Sequence, residues 1–174
     1  MKQLTLVMLG LLLMNACTKE KEVAVISTDH GDMVLELYPD VAPKHVESFM
    51  IHAKNGYYEG TTFHRVIPGF MIQGGDPNSK DGDKMNDGQG GYAAKFYGLG
   101  DETMDTSWTI PAEFNDRPHV TGAVSMARTP DPNSAGSQFF ICVDDAPNLD
   151  NNYTVFGEVI DGLGIIDRII NVSV

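Results

Sequence analysis

Apolar and polar positions in this chain alternate over short runs, and a helical period interrupts that alternation twice. Val23–Thr28 and 33–37 read as β-strands, the second alternating cleanly with Glu36 between Leu35 and Leu37. Asp29-His30-Gly31-Asp32 supplies a turn between them. Residues 42–55 read as a helix, because Val46, Phe49, Met50 and Ala53 recur at i, i+3, i+4 and i+7. Pro43 suits its first turn and Gly56 its C-terminal end. Further strands are predicted near 62–66, 70–73, 123–126, 139–143 and 155–160. A second short helix covers Leu163–Ile170, with Leu163, Ile166 and Ile170 on one face. Seven strands and two helices make a mainly β domain. From Gly75 to Trp108 the chain is rich in Gly, Asp and Asn and lacks periodicity; a loop of that length is expected to shape access to a site.

The first residues follow a different logic. Lys2 precedes an apolar run from Leu4 to Met14, too short to cross a bilayer at about 20 residues. Asn15-Ala16-Cys17 follows, so 1–16 reads as a secretory signal peptide and Cys17 resembles the lipid-bearing cysteine of a bacterial lipobox. A lipidated Cys17, a short charged tether over 17–22 and a folded domain over 23–174 are expected. That places the domain outside the cytoplasm, anchored on the periplasmic side or at the outer membrane. Ordinary signal cleavage, giving a soluble periplasmic protein, is the alternative. The other cysteine, Cys142, lies in the apolar run 139–143 and reads as a free core thiol, so folding relies on packing. An apolar content of 42% in 174 residues suffices for one domain with its own core. The net charge of −12 argues against nucleic acid and against anionic lipid surfaces as partners.

Candidate chemistry is concentrated in three blocks. The first is Phe63-His64-Arg65-Val66-Ile67-Pro68-Gly69-Phe70-Met71-Ile72-Gln73-Gly74-Gly75-Asp76, which sets one cation and one amide among large apolar side chains. The second runs from Thr121-Gly122-Ala123-Val124-Ser125-Met126-Ala127-Arg128 through Asn133-Ser134-Ala135-Gly136 to Ser137-Gln138-Phe139-Phe140-Ile141. The third is Leu149-Asp150-Asn151-Asn152-Tyr153-Thr154-Val155-Phe156-Gly157. No nucleophile–base pair, acid pair or metal-ligand spacing accompanies them. Asp76, Asp81, Asp83 and Asp87 fail the calcium-loop pattern, since Met85 falls where a ligand is needed.

In this order and spacing the blocks resemble the signatures of the cyclophilin family of peptidyl-prolyl cis-trans isomerases, and the likeness covers about 23–168. The resemblance implies a closed antiparallel β-barrel capped by two helices. Members usually add a strand after the last helix, which this sequence lacks at Asn171-Val172-Ser173-Val174, so the final strand is expected to be missing. It implies rotation of X-Pro bonds in unfolded or partly folded extracytoplasmic proteins, with proline-containing polypeptides and the membrane, through the anchor, as partners. A monomer without cofactor or metal is expected.

By the same match Arg65 donates to the proline nitrogen of the twisted imide, and Gln73 and Gln138 hold substrate backbone or orient Arg65. Phe70, Met71, Phe140, Leu149 and Tyr153 form the proline pocket, with Ala127 and Arg128 along the groove. His64 is read as packing or hydrogen bonding, because amide rotation transfers no proton. Asn148 stands where many eukaryotic members carry Trp, which implies weak affinity for cyclosporin-type ligands. A binding module that keeps the fold without turnover is the rival reading.

Overall fold

The computed structural model describes residues 23–172. The lipid-anchor and signal assignments on 1–17 therefore lie outside the described residues. Seven strands form one curled antiparallel sheet, a half-barrel: β1 (Val23–Thr28), β2 (Gly31–Leu37), β3 (Arg65–Ile67), β4 (Met71–Gly74), β5 (Ala123–Met126), β6 (Phe139–Cys142) and β7 (Val155–Asp161). Their order is β1-β2-β7-β5-β6-β4-β3. The end strands β1 and β3 do not pair with each other, so the ladder is open where the expected final strand would close it, and no eighth strand occurs among the described residues. Helix α1 (Pro43–Lys54) lies between β2 and β3 in sequence, and α2 (Leu163–Ile170) follows β7 and packs against both β2 and β3.

Strand periodicity sorts the side chains into two clusters. Met33, Leu35, Ile72, Val124, Phe139, Ile141 and Phe156 point into the curl, where α1 contributes Val46 and Phe49 and α2 contributes Ile165, Ile166 and Ile169. Met71, Ala123, Phe140, Cys142 and Val155 alternate onto the outer face and form a second cluster with Leu149. β6 is thus buried on both sides.

Two expected helix faces are corrected. In α2 the buried residues are Ile165, Ile166 and Ile169, while Leu163 is 44% exposed. The reason is the tight approach of the helix to the β1–β2 turn: a Cβ on Gly31 would stand 2.6 Å from Ile165 Cδ1. Gly31 has φ +125°, so glycine meets both the backbone and the packing demand. In α1 the buried face takes His45, Ser48 and His52 and leaves Ala53 exposed. Those polar groups are all partnered: Ser48 Oγ accepts from Ala94 N (2.9 Å), and the His52 ring bonds the Tyr92 carbonyl (2.9 Å). They fasten the long loop onto the helix.

His45 explains the start of α1. Ala42 at the N-cap has no side chain able to cap. Glu113, from the far end of the loop, takes that role. It accepts from Lys44 N (3.0 Å), His45 N (3.1 Å) and His45 Nδ1 (2.7 Å). Burial alone would raise the Glu113 carboxyl, but these bonds outweigh it and hold its pKa below the ordinary value. A carboxyl depressed on folding stabilises fully above its unfolded pKa of 4.5, and the effect fades as pH falls through the folded value. Glu113→Gln is therefore expected to cost about 1 kcal/mol at neutral pH and to flatten the acid limb below about pH 4.5. Denaturant titrations across pH 2–7 read both effects, and a parallel acid limb in the variant would contradict them.

Candidate active site

Strand register aligns the site. Arg65 of β3 pairs with Gln73 of β4, Gln73 with Phe140 of β6, and Phe140 with Ser125 of β5. Directly paired residues share a face, so these side chains form one row across the outside of the curl. One step along, Ile67, Met71 and Cys142 form a second row. Phe70 precedes β4, and Gly69, with φ +72°, supplies the turn that brings β4 back onto β3.

The rows open into a cleft of about 200 Å³ lined by Arg65, Phe70, Met71, Gln73, Ala127, Arg128, Phe140, Leu149 and Tyr153. Every proline-site residue expected from the sequence is in this lining except Gln138, which stands directly behind it, while Cys17 lies outside the described residues. Arg65 Nη1 donates to Gln73 Oε1 (3.2 Å), Gln73 Nε2 donates to Gln138 Oε1 (2.9 Å), and Gln138 Nε2 donates to the Gly90 carbonyl (2.6 Å). The exposed guanidinium is thereby aimed by a relay that ends on the long loop. That loop is organised by Asp76, whose fully buried carboxylate accepts from the backbone of Asn78, Gly88 and Gly90. His64 faces the same loop, its ring nitrogens without hydrogen-bond partners.

The apolar wall is braced from behind by His119, which sequence pattern did not single out. It is 1% exposed and stacks on Phe140 at 6.1 Å and 14°, with the Tyr153 ring edge-on to it at 6.5 Å. Its Nδ1 donates to Asp150 Oδ1 (2.9 Å), and Nε2 lies 3.0 Å from Ser125 Oγ. Two bonds from His119, the backbone N–H first, hold the Asp150 carboxyl below its ordinary pKa. Asn151, left-handed at φ 60°, then turns the chain so that Tyr153 meets Phe140 edge-on at 5.9 Å. The only sequence signal was a histidine shortly before the second block.

Cys142 lies beneath the pocket floor, fully buried and free. Burial, helped by the charges of Asp145 and Asp150, pushes its thiol up to about 12. In a Cys17→Ser chain the native protein is expected to react with a thiol reagent orders of magnitude more slowly than the unfolded one. Equal rates would show that the floor opens freely.

A curled sheet with a small cleft, aromatic and aliphatic on one wall and carrying a guanidinium at its mouth, fits the prolyl isomerase class. The family model for "Cyclophilin type peptidyl-prolyl cis-trans isomerase/CLD" matches residues 23–174. A probable peptidyl-prolyl cis-trans isomerase of Brucella suis is 44% identical over 149 residues, which are 86% of this chain and 71% of that protein. The crystal structure of a Cryptosporidium parvum cyclophilin superposes with a TM-score of 0.74 at 31% identity, covering 87% of this chain and 85% of that one. A second structure of that protein, in the presence of the dipeptide Ala-Pro, gives 0.73 at 33% identity, with coverage of 86% and 85%. The chain belongs to the cyclophilin family of peptidyl-prolyl cis-trans isomerases, and it is an enzyme of that type.

Proposed function

We propose that the cleft takes the proline ring against Phe70, Met71, Phe140, Leu149 and Tyr153 and that Arg65 donates to the proline nitrogen as the bond twists. Amide resonance resists rotation and leaves X-Pro isomerisation slow without a catalyst. At the twisted midpoint the nitrogen regains a lone pair, so a donor placed there stabilises the transition state and neither ground state. The planar amide is charge-separated, and an apolar wall weakens that resonance further. The observation that carries this reading is the relay from Gly90 through Gln138 and Gln73 to Arg65, because it fixes the guanidinium before substrate arrives. Ala127 and Arg128 border the groove for the flanking backbone.

Exchange NMR of a short Ala-Pro peptide with the full chain tests the assignment. Turnover above the uncatalysed rate supports it. A folded chain that binds the peptide without turnover would make the cleft a binding module.

We further propose that the enzyme works outside the cytoplasm on unfolded or partly folded proteins, tethered through lipid on Cys17. The apolar run 4–14 and Asn15-Ala16-Cys17 support this. Lipid labelling of the wild type, lost in Cys17→Ala, tests the anchor; labelling of neither leaves a soluble protein.

A further inference from the structure

The cleft is a positive site on a negative protein. Acidic residues outnumber Lys and Arg by 24 to 12, yet the only charged residues in the lining are Arg65 and Arg128. Among the described residues neither forms an ion pair with a carboxylate. Arg65 is bonded to a neutral amide. Arg128 is held by neutral carbonyls: Nη1 donates to Thr129 O (2.8 Å) and Pro130 O (3.3 Å), and Nη2 donates to Asn152 O (2.7 Å). Its guanidinium carbon lies 4.3 Å from the centroid of the Tyr153 ring, itself part of the pocket wall. These contacts fix the charge in place without cancelling it. A ligand carboxylate reaching it would meet an ordered partner, so less freedom is lost on binding. A ligand ammonium would meet a like charge held in place.

We propose that Arg128 sets substrate preference, so that the cleft selects proline-containing segments with an acidic side chain beside the proline over those with a basic one. The inference rests on the isomerase reading above. One partly exposed charge contact has a modest effect, and changing from attraction to repulsion enlarges it. The expected preference in kcat/KM is about three- to tenfold for Glu over Lys at low salt. It should shrink as salt screens the contact.

The test is a peptide panel with Glu, Ala or Lys directly before or directly after the proline, assayed with the full chain at low and high salt. The ratio of Glu to Lys is compared within each of wild type, Arg128→Met and Arg128→Glu, so a change in overall rate does not matter. Support is a Glu preference in the wild type, lost in Arg128→Met and reversed in Arg128→Glu. The inference falls if the wild type does not discriminate, or if Arg128→Met keeps the preference. Absence of turnover on the Ala peptide would instead overturn the isomerase reading. The same ratio taken from calorimetric binding constants would then decide the role of Arg128.

Discussion

Replacing Arg65 with alanine is expected to lower kcat/KM for an Ala-Pro peptide by about one to two orders of magnitude while leaving the fold intact. A charge-assisted hydrogen bond contributes about 1.5–3 kcal/mol net, and each 1.36 kcal/mol is tenfold in rate. Arg65 is exposed and its side chain bonds Gln73 at 3.2 Å, so little stability depends on it. Arg65→Lys should recover only a small part of the loss. A lysine ammonium lacks the planar fork that can hold Gln73 and still present a donor to the substrate. Exchange NMR gives the rates and a thermal melt checks the fold. A drop of less than twofold would reduce Arg65 to a surface arginine at the rim.

The second large effect is on stability. His119→Ala is expected to cost about 3 kcal/mol, through a buried hydroxyl and a carboxylate left without the ring, plus the cavity behind Phe140. Ser125 is fully buried, and its Oγ loses the imidazole at 3.0 Å while keeping only the Thr154 carbonyl. Phe140 and Tyr153 lose the aromatic surface that fixes their angle. Catalysis should suffer mainly in KM, since the wall loosens while Arg65 stays in place. Urea denaturation followed by the fluorescence of Trp108 measures the stability change. A cost below about 1 kcal/mol would show that the ring fills space without bracing the wall.

Much of the fold is legible in the sequence. Short apolar runs bounded by turn residues located six of the seven strands closely, with clean alternation in β2, whereas β5 and β6 are buried at every position. Periodicity does not separate pocket wall from core, so Arg65, Gln73 and Phe140 were legible only through the likeness of their blocks to the family signatures; the strand register then sets them in one row. The predicted strand at 62–66 was displaced, because β3 runs Arg65–Ile67 and owes its position to pairing with β4. His45, Ser48 and His52 were invisible as buried residues because apolar periodicity treats polar side chains as outward facing. Their partners at 92, 94 and 113 are too distant in sequence for any local pattern to link them. The α2 face was misplaced for a similar reason: eight residues hold too few turns to fix a phase, and contact with Gly31 decided it. His119 and Asp150 escaped notice because their importance comes from what they brace, which depends on the fold.

The cap on α1 also bears on how the domain assembles. Glu113 reaches Lys44 and His45 across a separation of 68 to 69 residues. A twelve-residue helix is marginal alone, and this one has no local cap. Its N-terminus is completed only after the long loop has come round, which carries a closure entropy that local contacts avoid. α1 is thus poorly suited to nucleate folding ahead of the sheet. Helix and loop should consolidate together and late, at a pace set by distant pairings. An enzyme whose chemistry is the slow rotation of X-Pro bonds thereby starts from a slow topology of its own.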